Sequence, residues 1–264
     1  MANAKLTISF LTISAFSADN VNAEFPKENA VNIDSPQRAF RSANATDTRL
    51  VIDLGAVQTN LSCYLDWVNF GTFKYQESAD GSTGWADIGS TRTVEKDPMH
   101  GVYRRKDDLV LTGKRYLGIL IPTQAPVDGA AYFRIGTFAV PTNIVELDIE
   151  TTVEWPFEVN LPESNVIENR YPTGRTEKNK LGALDPMIIS FGLRSTVQQN
   201  IAGTAVSEIA DLLRDSTKII YIDFNFGESW QAYLVKKVGE LRATINDPAV
   251  STLDMGTILM EVVT

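Results

Sequence analysis

Leu50-Val51-Ile52-Asp53-Leu54-Gly55 and Phe73-Lys74-Tyr75-Gln76-Glu77-Ser78-Ala79-Asp80-Gly81 decide the architecture of this chain. Each is a short run of β-branched, aromatic or aliphatic residues closed by a glycine, which is how a strand running into a turn reads. Working outward, Ser62–Val68, Tyr116–Ile121 and Tyr132–Val140 repeat the pattern. Leu61, Cys63, Leu65 and Trp67 alternate with polar residues, the period of a strand with one buried face. Ala79-Asp80-Gly81-Ser82, Leu111-Thr112-Gly113-Lys114 and Val127-Asp128-Gly129 supply turn chemistry between the runs. Many short strands at this spacing predict a sandwich or barrel.

The first residues read the same way. Leu6-Thr7-Ile8-Ser9-Phe10-Leu11 follows Lys5 and could pass for a signal peptide, but its apolar residues alternate with Thr and Ser. That is strand periodicity, and the expectation is a folded strand in a chain from which nothing has been removed.

A boundary falls near Pro141-Thr142-Asn143, giving an N-terminal domain over 1–141 and a second over 142–264. The second opens on the clearest periodicity in the protein. Leu147, Ile149, Thr151, Val153, Trp155, Phe157, Val159 and Leu161 share one parity, and mostly acidic or polar residues share the other. A half-buried strand with one solvated face is expected, with an edge, bulge or break at Pro156, whose nitrogen cannot donate to a ladder. Glu163–Leu184 is polar and contains Arg170, Arg175, Lys178 and Lys180. It reads either as a solvated loop or as a basic arm against an acidic neighbour. Val206, Ile209, Ala210 and Leu213 predict a helix over 204–216, capped by Thr204. A hairpin around Gly227-Glu228-Ser229 and a last strand over Thr257–Val263 complete the order. The fold class is therefore mainly β: two β-sandwich-type domains, the second with one flanking α-helix.

The 264 residues carry a net charge of −9, with a hydrophobic fraction of 44 % that is ample for cores. The acidic balance opposes nucleic acid and anionic membranes as partners. No apolar run is long enough for a membrane-spanning helix, so no membrane insertion is expected. There is one cysteine, Cys63, read as a small buried side chain, and one histidine, His100, read as a loop residue. A Cys-His or Ser-His-Asp nucleophile would need these to meet, and a zinc site needs more of both. Neither a phosphate-cradling loop nor a dinucleotide fingerprint is present. No catalytic, cofactor-binding or metal-ligating residues are assigned, and the chain is read as a non-enzyme. Asp80-Gly81 and Asp107-Asp108 are ordinary turn acids rather than calcium ligands. Arg104-Arg105-Lys106, followed at once by Asp107-Asp108, reads as a solvated, self-neutralising surface.

Two resemblances rest on these residues. Leu50-Val51-Ile52-Asp53-Leu54-Gly55, then Phe73–Gly81 with Trp85, then Lys114-Arg115-Tyr116-Leu117-Gly118-Ile119 and Tyr132-Phe133-Arg134-Ile135-Gly136 resemble, in order and spacing, a discoidin (coagulation-factor type C, galactose-binding-like) domain. The resemblance implies a β-sandwich with Trp85 packed beneath the Asp80-Gly81 turn and Tyr116 facing the core. It also implies glycan or lipid binding through loops at one sandwich end, with no ligand residue to carry over. The C-terminal half, from the helix through Lys218–Phe226 to Trp230-Gln231-Ala232-Tyr233-Leu234-Val235, is similar to distal tail and baseplate hub proteins of long-tailed phages. That likeness implies a structural virion protein of a tail tip or baseplate, made in the host cytoplasm and assembling as a ring-forming homo-oligomer. Its neighbours would be tube, hub and tape-measure proteins, with Arg170, Arg175, Lys178 and Lys180 as candidate subunit contacts and host glycan as a further partner. The alternative is a non-catalytic carbohydrate-binding module protein. Its discriminator is a cluster of exposed aromatics at one sandwich end, whereas Trp67, Tyr75 and Trp85 are expected in the core.

Overall fold

The computed structural model describes residues 4–34, 37–98, 101–147, 153–160, 166–170, 176–180, 188–196, 217–224, 227–239, 244–247 and 252–263. The architecture is mainly β, in sandwich-like layers, and the helical content of the described residues is one 3-10 turn, Lys27–Val31. None of their helices is long and apolar enough to cross a membrane. The flanking helix expected over 204–216 and His100 lie outside the described residues.

One long pair of strands builds the N-terminal sandwich. Thr48–Val68 runs antiparallel to Tyr103–Ile121, from Thr48 opposite Ile121 to Val68 opposite Tyr103. The register slips between Val110 and Lys114, and again between Lys114 and Tyr116. Gly55 and Gly113 take left-handed φ values of +76° and +87° beside those slips, which side chains with a Cβ resist. Bulges bend strands, so the pair folds over and serves both layers. Residues 48–54 and 116–121 form the front layer with Ala15–Ala18, Thr72–Ser78 and Ala86–Asp87. Residues 61–68 and 103–110 form the back layer with Thr137–Ala139 and Glu95–Lys96. Alternate residues of both halves meet in one core: Leu50, Ile52, Leu54, Leu117 and Ile119 against Leu61, Cys63, Leu65, Leu109 and Phe138.

Two expected breaks are therefore bends. Leu50–Leu54 and Ser62–Val68 are halves of one strand, and Leu111-Thr112-Gly113-Lys114 is a kink inside another rather than a turn between two. The buried Glu77 carboxylate accepts hydrogen bonds there from the Thr112 backbone N–H at 2.9 Å and hydroxyl at 2.5 Å. These contacts satisfy groups that the slip removes from the ladder.

The first strand, Ala4–Thr7, is a strand as its alternation predicts, but it joins the other sheet. It lies between Val145–Leu147 and Ile219–Asp223. Ala232–Val238, Thr252–Val262, Ile188–Thr196 and Val153–Asn160 follow in that order across the sheet. The run Leu147–Leu161 is thus not one strand. Val145–Leu147 and Val153–Asn160 sit at opposite edges of the sheet, and the register of the latter is broken between Glu154 and Glu158, across Pro156. The hairpin around Gly227 is present, with Ile219 opposite Lys236 and Asp223 opposite Ala232.

The outer face of the back layer packs on this second sheet. Tyr64 and Ala139 share a core with Ile219, Tyr221, Ala232, Leu234 and Val263, and the Tyr64 and Tyr221 rings meet edge to face at 5.7 Å. This packing overturns the reading of Arg104-Arg105-Lys106 as a solvated surface. Arg104 is 0 % exposed, 3.2 Å from Asp66 and 3.6 Å from Asp97, with its guanidinium carbon 4.7 Å above the Tyr233 ring. Lys106 is paired with Asp223, and Asp108 with Lys5 at 3.0 Å. Arg105 grips Asp107 through two nitrogens, at 2.7 and 2.8 Å. The residues alternate between two faces of a strand that is covered on both sides over Arg104–Asp107, while Asp108 stays exposed. Only the Arg105–Asp107 pair is local.

Candidate ligand-binding site

The alternation of two short strands builds a polar and aromatic face at one end of the sandwich. Phe40–Arg41 pairs with Arg134–Ile135. Phe40, Phe133 and Ile135 are fully buried, so the strand period turns Arg41, Tyr132 and Arg134 the other way. The loop before the 3-10 turn is tied to the same place: the Asn22 N–H donates to the Arg41 carbonyl at 3.0 Å, and the Arg41 N–H donates to the Phe25 carbonyl at 3.3 Å. Phe25 is thereby held beside Arg41. The Arg41 guanidinium carbon lies 3.7 Å from the Phe25 ring centroid and 5.0 Å from that of Tyr132. All three side chains are half-buried. The Arg41 Nε is buried and makes no hydrogen bond.

The neighbouring charges are already engaged. Arg134 sits 3.3 Å from Asp128. Asn69 organises the rest: its amide nitrogen donates to Asp128 at 3.1 Å and to the Tyr132 carbonyl at 2.9 Å, while its carbonyl accepts from the Arg134 N–H at 2.6 Å. Trp67, at a φ of +55°, lies alongside, and its carbonyl accepts from the Arg134 Nε. Chemically the face offers aromatic surface, a guanidinium and a fixed carboxylate, a set suited to holding a polar ligand that has an apolar face. It contains no nucleophile activated by a base.

A concavity of about 420 Å³ opens elsewhere, where Gln58, Asn60–Ser62 and Asp108–Val110 face Pro141-Thr142-Asn143-Ile144. Asp108 is its one carboxylate, and it is bonded to Lys5 and Ser62. Paired-acid hydrolysis needs two converging acids, so this cleft does not supply that chemistry.

The other residues singled out in the sequence are placed as follows. Arg170, Lys178 and Lys180 lie on a two-stranded hairpin, Val166–Arg170 with Thr176–Lys180, opposite Thr176, Glu168 and Val166 respectively. Much of the polar segment is therefore paired strand rather than loop. Arg175 lies outside the described residues. Cys63 is buried as expected, and burial pushes its thiol pKa up. Asp80 is a turn acid: its carboxylate accepts from the Thr83 N–H and hydroxyl and the Ser82 N–H, which hold it well below the usual carboxylate range. Among the described residues, no cluster of His, Cys, Asp and Glu could hold a metal ion.

Two expectations for aromatic residues change. Tyr75 is fully buried, but Trp67 and Trp85 are half-buried at the surface. Tyr116 packs under the turn, where a Cβ on Gly81 would stand 2.7 Å from its ring, and Trp85 instead covers Gly118 at the same distance. Tyr116 thus takes the place under the turn that the resemblance implied for Trp85, and neither ring lies in the core. The face itself was not singled out from the sequence. Its signal was the alternation in Phe40-Arg41 and Tyr132-Phe133-Arg134-Ile135, which tells which side chains point outward but not that Phe25 joins them.

No family model and no curated protein matches this chain. Solved structures that resemble it include carbohydrate-binding modules, over about half of its length. Chitosan-binding module 1 of a Paenibacillus sp. IK-5 chitosanase/glucanase is 21 % identical, covering 51 % of this chain and 99 % of the module, with a TM-score of 0.39. A CBM32 module of a Clostridium perfringens family 31 glycoside hydrolase is 14 % identical, covering 47 % and 86 %, with a TM-score of 0.39. A pectin-binding carbohydrate-binding module is 14 % identical over 50 % and 93 %, at the same TM-score. What those modules bind is a property of those modules alone.

Proposed function

We propose that this chain is a non-catalytic recognition protein that binds glycan at the end of its N-terminal sandwich. One observation carries the reading: Phe25 and Tyr132 flank Arg41 on a face where Asp128 and Arg134 are held in fixed positions. A sugar ring has an apolar C–H face and a rim of hydroxyls. Half-exposed rings match the first, and oriented guanidinium and carboxylate groups match the second. On this reading the aromatic contacts come from the half-buried Phe25 and Tyr132 rather than from Trp67, Tyr75 and Trp85. Replacing Tyr132 with alanine is expected to weaken glycan binding about tenfold or more, since buried aromatic anchors dominate such sites. Titration calorimetry on glycans retained in an array measures it. A wild-type protein that retains no glycan at all would sink the reading.

A second reading, a subunit of a ring assembly in a phage tail, is favoured by one feature of the second sheet. Val153–Asn160 ends the sheet, pairing only with Ile188–Thr196 among the described residues. An open strand edge is a template for another chain, and the hairpin carrying Arg170, Lys178 and Lys180 follows it in sequence. Light scattering is expected to give a discrete ring-sized mass, alone or with tail proteins, if this reading holds; a strict monomer under both conditions removes it.

A further inference from the structure

We infer that the glycan bound at this face carries a carboxylate, and that Arg41 receives it. The inference rests on the glycan reading above and adds the charge of the ligand. Arg41 and Arg134 lie directly opposite each other across the Phe40–Arg41 and Arg134–Ile135 pair. Like charges in that position repel. The structure relieves only one of them. Arg134 has Asp128, whose two oxygens are already taken by Arg134, Asn69 and the Ala130 N–H. Arg41 forms no ion pair and no side-chain hydrogen bond with the described residues. Acidic residues outnumber basic ones 33 to 24 in this chain, so a guanidinium without a counter-charge goes against its composition.

The geometry also limits how an anion can approach. The Arg41 guanidinium rests against Phe25 and Tyr132, and its Nε is buried. The terminal nitrogens are what it has left to offer. Two parallel N–H groups on one planar edge fit a planar carboxylate in a bidentate contact. The rings beside it would then take the C–H face of the same sugar, so a uronic acid residue uses both features at once. A tetrahedral sulfate ester offers the same charge in a different shape.

Calorimetric titration of the full chain with a trimannuronate, its methyl ester and a sulfated mannotriose tests this. The acid is expected to bind about tenfold to hundredfold tighter than the ester, the value of hydrogen bonds to a charged group. Arg41→Gln is expected to abolish that preference, so that acid and ester bind the variant equally. Arg41→Lys, which keeps the charge but loses the fork, is expected to keep part of it. The acid's advantage should also shrink as salt rises from about 0.02 M to about 0.2 M. Ester and acid binding equally would overturn the inference and leave the glycan reading standing. A preference for the sulfated sugar would overturn the carboxylate assignment. Failure of all three sugars, with no other glycan retained, would overturn both readings. A melting curve for each variant separates loss of binding from loss of fold.

Discussion

Arg104→Ala is expected to destabilise the protein by about 3–5 kcal/mol, the cost of removing one partner from a buried ion pair. Arg104 is fully buried between the back layer and the second sheet, with Asp66 and Asp97 on one side and the Tyr233 ring on the other. Asp66 and Asp97 are themselves 1 % and 0 % exposed. Without the guanidinium, two carboxylates are left in a region that water does not reach. The wild-type pair is not itself a large source of stability, because desolvating the charges offsets most of their attraction. That distinction is testable. The triple variant Arg104→Met, Asp66→Asn, Asp97→Asn removes all three charges and should recover much of the loss, whereas the single variant should not. Urea unfolding at neutral pH measures both. A single variant within about 1 kcal/mol of wild type would mean that the two sheets separate before the network matters.

Phe70→Ala is expected to cost about 3–5 kcal/mol for a different reason, a cavity in the sandwich core. Phe70 is fully buried in a chain of edge-to-face rings. Its centroid lies 5.8 Å from that of Phe73 and 6.2 Å from that of Phe133, and Phe73 is 4.9 Å from Tyr75. Removing the middle ring loses its transfer energy and two aromatic contacts, and the neighbours cannot close the gap without leaving their rotamers. Phe70→Leu keeps most of the volume and should cost markedly less. Equal losses for the two variants, read by thermal melting, would show that the site collapses freely and that the cavity argument fails. Phe133 also precedes Arg134, so this core supports the outward-facing residues of the candidate site from beneath.

Much of the architecture was legible in the sequence. Val51 and Asp53 alternate with Leu50, Ile52 and Leu54, and the structure buries the second set in the core. Asp80-Gly81 was read as a turn and is one, because an acceptor side chain followed by a residue tolerant of positive φ closes a reversal locally. Pro156 was expected to break a ladder, and the register shifts across it. Each of these rests on interactions within a few residues of one another. The candidate site was less legible. Phe25 and Tyr132 approach Arg41 from distant points of the chain, and neither stands out as more than a loop or strand residue.

The sequence by itself determined the local alternation, the turns and hence the β class, since side-chain period and turn chemistry are properties of neighbouring residues. The tertiary structure decided what the alternation faces. Leu147–Leu161 has one unbroken pattern, yet Val145–Leu147 and Val153–Asn160 lie at opposite edges of a sheet. Arg104 and Lys106 show a polar pattern typical of a solvated strand, yet Arg104 is fully buried beside Asp66 and Asp97, and Lys106 meets Asp223 of the second sheet. A strand pattern records that two faces differ. It does not record whether water or another sheet lies against the polar one, because the opposite charges arrive from parts of the chain far away in sequence.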